Sequence, residues 1–404
     1  MLTSKGHLTY CTNIHAGEDW PAHFDALKRH FPAIKSAVSP AAPMGIGLRL
    51  SHRASMELAD AEKLAEFQTW MREAGAYVFT MNGFPYGEFH DTVVKDQVHA
   101  PDWTSDDRLE YTKRLADILV SLLPEGLDGG ISTSPLSYRY WFEGEAATNK
   151  ATRMATDRVI KAIEHLQSIY QRTGKRIHLD IEPEPDGLLE TGEEFLNWYK
   201  HSLLPMGADY FGAKGISAEE SAAIVRRHLC LCYDVCHFAL GYENHSQVIR
   251  QLKELDVSIG KIQISAALKA MIPEDDQQRE VLAEAFADYN EPTYLHQVIA
   301  RKADGSLTRF RDLPDALSGL QQSDAKEWRA HFHVPIFQDD FGVLKSTQTD
   351  IIELLGLHNE LELCSHLEVE TYTWGVLPGD LKLDISESIS RELRWVLPLL
   401  NHTF

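Results

Sequence analysis

Ile177-His178-Leu179-Asp180-Ile181-Glu182 places polar side chains on even positions and aliphatic ones on odd positions, and Pro183-Glu184-Pro185-Asp186 follows at once. Alternation with a period of two predicts a strand that turns His178, Asp180 and Glu182 to one face and Ile177, Leu179 and Ile181 to the other. His366-Leu367-Glu368-Val369-Glu370 repeats the pattern before Thr371-Tyr372-Thr373-Trp374. Leu229–Asp234, leading into Val235-Cys236-His237, and Lys261-Ile262-Gln263-Ile264-Ser265 carry the same theme. Carboxylates, an amide and a histidine at the ends of several such strands point to chemistry rather than to packing.

Working outward, strands and helices alternate along the chain. His7–His15 reads as a strand with His7, Thr9, Cys11, Asn13 and His15 on one side, and a helix begins near Trp20. Gly45–Ser51 is the next strand; its helix carries Leu64, Phe67 and Met71 and stops at Gly75, a residue suited to a helix C-terminus. After a third strand at Tyr77–Asn82, Ser105 caps a helix whose apolar stripe is Tyr111, Leu115, Ile118, Leu119 and Leu122. Gly129–Ser134, Arg176–Glu182, Leu229–Asp234 and Ile259–Ser265 complete seven strands, with helices at Thr152–Tyr170 and Ser246–Leu255 between them. The eighth, Leu363–Glu370, follows a helix near Asp350–Leu355. Eight β/α units predict a closed parallel (β/α)8 TIM barrel, with residues 1–404 as one domain. The alternative is an open doubly wound sheet, but no Gly-rich phosphate turn follows the first strand.

The alternation pauses at residues 269–335. A helix, a hairpin turning at Asp304-Gly305 and the segment His331-Phe332-His333-Val334-Pro335 predict an insertion between the seventh and eighth strands. Connections of 2–6 residues are usual in such folds, and long ones are usually functional. The insertion is therefore expected to cover the C-terminal face of the barrel. As an extended piece it turns His331 and His333 to one side and Phe332 to the other.

Composition narrows the classes of function. A formal net charge of −21 in 404 residues argues against nucleic acid and against an anionic membrane surface as partners. No apolar run approaches the roughly 20 residues that span a bilayer, and Met1–His7 lacks the apolar segment of a signal peptide, so a cytoplasmic location is expected. Five cysteines with no framework spacing fit a reducing compartment. Cys230, Cys232 and Cys236 read as buried thiols rather than as ligands of a soft metal.

Function in a barrel of this kind sits where the strands end. The last inward polar residue of each strand is, in order, His15, Arg49, Asn82, Ser134, Glu182, Asp234, Gln263 and Glu370. Three carboxylates gathered without a cation would repel one another. With an amide beside them they predict one divalent metal ion on Glu182, Asp234, Gln263 and Glu370, with His331, His333 and Glu368 as further candidates. Mg, Mn, Zn and Co are not distinguished, and no H-E-x-x-H spacing singles out zinc. Arg49, Asn82, His15, His333 and Trp374 are expected to meet the substrate; His178 and His366, deeper in the barrel, read as satisfied core histidines.

Strands ending in Glu182, Asp234-Val235-Cys236-His237, Gln263 and Glu370 resemble the xylose isomerase-like TIM barrels, which include sugar phosphate isomerases and epimerases and related dehydratases. The resemblance implies that Glu182, Asp234 and Glu370 bind metal and that His237 contacts substrate. Gln263 stands where many members carry His. A longer resemblance, in Gly6–His15, Asn82–Gly87, Leu179–Asp186, His331–Phe337 and His366–Trp374, is to the EboE-like metabolite traffic proteins, tied to export of secondary metabolites. Together these imply a metal-dependent isomerase or epimerase for a hydroxy-carbonyl small molecule, a polyhydroxy compound or secondary metabolite. In it Glu182 and Glu370 exchange a proton with substrate, through a metal-bound enediolate, and His237 holds a substrate oxygen. The alternatives are a metabolite-binding or trafficking protein that retains the metal pocket without turnover, and a metal-dependent hydrolase. Oligomerisation is left open.

Overall fold

The structure is a computed structural model that describes residues 1–87, 93–375, 377 and 384–400. Its barrel strands are β1 (Gly6–Tyr10), β2 (Met44–Arg49), β3 (Ala76–Asn82), β4 (Gly129–Thr133), β5 (Ile177–Ile181), β6 (Leu229–Asp234), β7 (Ile259–Ile264) and β8 (His366–Val369). Neighbours from β2 to β8 pair in parallel, and β8 returns to β1 with His366 opposite His7. A parallel bridge between Cys11 and Gly47 brings β1 to β2, so the sheet closes into the expected barrel. Leu2–Thr3 folds back antiparallel on β1 as a ninth strand.

The local signals act as the physics predicts. Ser105 accepts a hydrogen bond from the Asp107 amide and opens the helix Asp106–Leu122, whose stripe residues are buried. Gly75 ends the helix Ala61–Ala74 at φ 64°, a left-handed value that costs glycine nothing. The stretch before β6 is irregular because Pro205 has no amide hydrogen to donate; a π-turn at Tyr199–Leu203 precedes it and the helix Leu204–Gly212 restarts there. Outward strand residues Leu8, Ile46, Ile131, Leu179, Leu231, Ile262 and Leu367 join helix residues such as Leu27, Leu115 and Ile163 in one apolar core. No helix among the described residues is long and apolar enough to cross a membrane.

The first strand is shorter than its alternation predicts. The ladder stops at Tyr10 and a 3-10 turn at Thr12–Ile14 follows, so Asn13 and not His15 ends up over the barrel mouth. The insertion is larger than residues 269–335. It runs from Leu268 to Ser346 and holds an antiparallel sheet ordered 307–310, 298–302, 325–330, 268–271, 344–346, 340–341. Leu268 pairs with Ser346, so the segment after Pro335 belongs to this sheet. The hairpin does turn at Asp304-Gly305. Buried Leu268, Val298, Trp328 and Phe332 share the core of the barrel, which ties the two sheets together.

The interior of the barrel is polar, in stacked layers. At mid-height Lys261 Nζ donates to Ser132 Oγ at 3.0 Å, Glu368 Oε1 at 3.2 Å and the Met81 carbonyl at 3.3 Å. Burial works against the Lys261 charge, but Glu368 and the neighbouring thiols and carboxylates outweigh it and hold the ammonium above its usual pKa. Glycines make room for these groups. A Cβ on Gly47 would stand 2.2 Å from Glu368 Oε2, and one on Gly260 would stand 2.0 Å from Asp180 Oδ1.

Candidate functional site

Polar side chains converge above the Lys261 layer, where β3, β5, β6, β7 and β8 end. The cleft, about 360 Å³ with its open mouth included, is lined by Asn13, Asn82, Phe84, Pro85, Val98, Glu182, Glu184, His237, His331, His333, Glu370 and Tyr372. Each strand end delivers its residue for a local reason. Glu182 follows Ile181 directly, its amide bonded to the Thr133 carbonyl across β4. Asp234 is both the last residue of β6 and the N-cap of the short helix Val235–Leu240, where its Oδ1 accepts from the His237 amide at 3.2 Å. The Asp-x-x-His spacing is therefore a capping turn that sets His237 one turn above Asp234.

The carboxylates are held by amides. Asn13 and Asn82 both donate to Glu370 Oε1 at 2.8 Å, and Ser265 donates to Asp234 Oδ1 at 2.6 Å. Gln263 Nε2 donates to Glu370 Oε2, Glu182 Oε1 (3.3 Å) and Asp234 Oδ2 (3.4 Å). Its Oε1 faces the Cys232 thiol. In this orientation Gln263 bridges carboxylates as a donor, and an oxygen ligand would need the amide turned over. Glu182 Oε2 and Glu184 Oε2 have no hydrogen-bond partner among the described residues.

Three imidazoles complete the cleft, each oriented by a hydrogen bond at Nδ1. His237 Nδ1 lies 3.0 Å from the Pro183 carbonyl, His333 Nδ1 2.8 Å from the Glu370 carbonyl, and His331 Nδ1 2.8 Å from Gln297 Oε1. A carbonyl oxygen only accepts, so each Nδ1 donates there. The Nε2 atoms of His237 and His331 lie 3.2 Å apart, within hydrogen-bond reach of each other. His333 Nε2 is buried without a hydrogen-bond partner among the described residues. Donor atoms of Asp234, His237 and His333 lie within 4.8 Å of one another, as do those of Glu184, His237 and His331. Imidazoles tied through Nδ1 with Nε2 turned inward are the arrangement of metal-binding histidines, and the donor set fits a divalent cation.

The electrostatics point the same way. Burial, then Glu370, Asp234 and Glu184, push the Glu182 carboxyl well above its usual range. Burial and Asp234 do the same to Glu370, and burial with Asp234 and Asp186 to Glu184. Burial also opposes ionisation of Asp234, but His237, His333 and the Ser265 hydroxyl outweigh it and keep that group below its usual value. Burial drives His333 down to about 4 and lowers His237 and His331 as well.

Of the residues expected from sequence, Glu182, Asp234, His237, Gln263, Glu370, Asn82, His331 and His333 come together here. Phe332 points away from them onto Tyr289 and His296, with ring centroids at 5.2 and 4.9 Å. Four others lie outside the lining. His15 Nε2 bonds the Tyr10 hydroxyl and its ring stacks on His30, because the 3-10 turn carries it past the mouth. Arg49 is turned to Glu18, at 3.2 Å, and to the Gly87 carbonyl. Trp374 lies against Phe337, and Glu368 sits one layer down on Lys261. Asn13, Glu184 and Ser265 complete the site without having been singled out. Glu184 had a signal, since the prolines on either side of it end the strand and fix the backbone that holds it over the mouth.

No family model and no curated protein matches the chain. Among solved structures it is similar to a xylose isomerase-like TIM barrel protein from Mycobacterium smegmatis in complex with magnesium. The identity is 12%, over 99% of this chain and 98% of that one, with a TM-score of 0.51. It is also similar to the IOLI protein with a bound zinc atom (12% identity, 98% and 99% covered, TM-score 0.49). A D-allulose 3-epimerase from Methylomonas sp. in complex with D-allulose has 10% identity, 98% of each chain covered and a TM-score of 0.47. At these identities the first supports the fold, that of the xylose isomerase-like barrels, and nothing further.

Proposed function

We propose that the cleft is the active site of a divalent-metal-dependent isomerase or epimerase for a small hydroxy-carbonyl compound. The observation that carries this reading is the convergence of three imidazole Nε2 atoms and the partnerless Glu182 Oε2 on one buried cleft. His237, His331 and His333, with Asp234 and a Glu182 or Glu184 oxygen, would hold the metal. A nitrogen-rich set of this kind suits zinc, cobalt or manganese better than magnesium. The metal would polarise a substrate carbonyl, which acidifies the adjacent C–H.

The chain's own residues then divide the work. Glu370 is anchored by Asn13, Asn82 and Gln263 through both oxygens, whereas Glu182 keeps Oε2 available. Glu182 is accordingly the proton acceptor and Glu370 the group that returns a proton on the other side. Raised carboxyl pKa values suit both roles, because a general acid–base group works best near the ambient pH. Burial of Glu182, His237, His333 and Glu370 would limit the water around the reacting carbon. The long stretches similar to EboE-like proteins support a substrate drawn from secondary metabolism.

Solvent deuterium uptake tests the reading. Ketoses and cyclitols incubated with the metal-loaded protein in D2O should gain deuterium at the carbon beside the carbonyl, and Glu182→Gln should abolish the exchange. A metabolite-binding protein without turnover is the second reading, favoured by Gln263, whose amide already bridges all three carboxylates. Ligands that raise the unfolding temperature while gaining no deuterium would decide for it.

A further inference from the structure

The opposite end of the barrel carries a further group of side chains of metal-ligating type, away from the cleft. Asp128, in the turn before β4, faces His178 at the start of β5 and His366 at the start of β8. His366 Nε2 lies 3.3 Å from Asp128 Oδ1 and His178 Nε2 lies 3.7 Å from Oδ2. One donor atom from each of the three falls within 4.8 Å of the others. Metal–ligand bonds of about 2.0–2.2 Å at tetrahedral angles separate neighbouring donors by about 3.3–3.6 Å. The two separations from Asp128, 3.3 and 3.7 Å, lie close to that requirement.

Asp180 stands behind both rings. Its Oδ1 is 2.6 Å from His178 Nδ1. Its Oδ2 and His366 Nδ1, neither with a hydrogen-bond partner among the described residues, flank the gap left by Gly130. They lie 2.8 and 2.9 Å from the place where a Cβ on that residue would be. A carboxylate only accepts, so His178 donates through Nδ1, and its Nε2 is turned toward the Asp128 carboxylate. A cation between that nitrogen and the carboxylate would satisfy both. A buried carboxylate behind an imidazole whose other nitrogen is bare is the usual support of a metal-binding histidine.

We propose that this end of the barrel binds a second divalent transition-metal ion, zinc or one of like preference, through His178 Nε2, His366 Nε2 and the Asp128 carboxylate. Asp180 positions the His178 ring through its Nδ1. Asp128 also takes Arg176 Nη1 at 3.2 Å and Ser365 Oγ at 3.5 Å. Arg176 has a further anchor in the Arg227 carbonyl, at 2.9 Å, and the partial exposure of Asp128 opens the site to solvent for entry and for a fourth, water ligand. The ion would pin the turn before β4 to the starts of β5 and β8. This role is structural and does not depend on the reading of the cleft.

The test is a zinc titration of the chelator-stripped full chain by equilibrium dialysis, with metal analysis of the bound fraction. Asp128→Asn, isosteric and partly exposed, should lower the bound zinc by about one equivalent, as should His366→Gln, each with an unchanged circular dichroism spectrum. Glu182→Gln combined with His333→Ala should leave that equivalent in place, which separates it from any ion in the cleft. If His366→Gln fails to fold, Asp128→Asn carries the decision. The proposal is overturned if folded Asp128→Asn keeps the wild-type zinc complement. It is equally overturned if a zinc-soaked crystal shows no anomalous peak between Asp128, His178 and His366.

Discussion

Replacing Lys261 by methionine isolates the layer beneath the cleft. The ammonium and the Glu368 carboxylate are both fully buried, at 3.2 Å, and Lys261 also satisfies Ser132 Oγ and the Met81 carbonyl. Methionine fills a similar volume and donates nothing. The change therefore leaves the Glu368 charge unpaired in the barrel, where its Oε2 already lacks a partner, at a cost of about 3–5 kcal/mol. With an unfolding entropy of about 2.1 cal/mol/K per residue, 404 residues give roughly 0.85 kcal/mol/K. The thermal midpoint of Lys261→Met should then fall by about 4–6 °C, measured in chelator so that no metal contributes. Adding Glu368→Gln removes the stranded charge and should restore more than half of the loss, a coupling of about 2 kcal/mol or more. A single variant within about 1 kcal/mol of the parent, or a double variant no more stable than the single, would refute the claim that this pair holds the layer.

Three other changes probe the cleft and its support. Glu182→Gln should sharply reduce retained metal, whereas Glu368→Gln, bound to Lys261 one layer down, should leave it nearly unchanged; metal analysis after gel filtration reads the difference. Glu182, Glu184 and Glu370 have folded pKa values above their ordinary 4.5, so the folded chain holds the extra protons and stability drops as pH rises through the raised values. His333, at about 4 when folded, works the other way, and its contribution is lost as pH falls from 6.5 toward 4. Above pH 6.5 the raised carboxyls set the trend, Glu243 and Glu392 at about 8 outside the cleft among them, so unfolding midpoints should decline with rising pH in chelator and decline less steeply with zinc; parallel curves would count against a cation there. Gly47→Ala drives a Cβ to within 2.7 Å of the Tyr10 carbonyl as well as onto Glu368; a loss of about 1–3 kcal/mol is expected in urea unfolding, and a neutral result would mean that the seam between β1 and β2 can open.

The barrel was legible because its strands alternate and its helices carry stripes and caps. Ser105, Gly75 and the His366–Glu370 alternation each act locally, so each could be read without knowledge of the rest. The end of β1 was not legible: alternation continues through His15, and only the turn at Thr12–Ile14, held by tertiary contacts, decides that Asn13 faces the cleft. The sheet of the insertion was missed for a related reason. Its strand Ala325–Ala330 carries Lys326, Glu327 and Arg329, polar residues that give no clean apolar alternation, and only pairing with 268–271 and 298–302 on either side makes it a strand. The carboxylates at the strand ends could be listed from alternation alone, whereas the contact between His237 Nε2 and His331 Nε2 joins residues 94 apart. No local pattern encodes such a meeting.

The cleft has two owners. Glu182, Asp234, Gln263 and Glu370 ride on barrel strands, while His331 and His333 extend from Ala325–Ala330, a strand stitched into the other sheet. A designer could graft a different cassette between Ser265 and Gln348 and inherit the carboxylate ring intact, because its supports, Gln263, Ser265 and the asparagines, belong to the barrel strands and their ends. Conversely, point changes in strand 325–330 would retune the imidazoles by sliding their anchor, with no alteration to any residue that reaches the ligand.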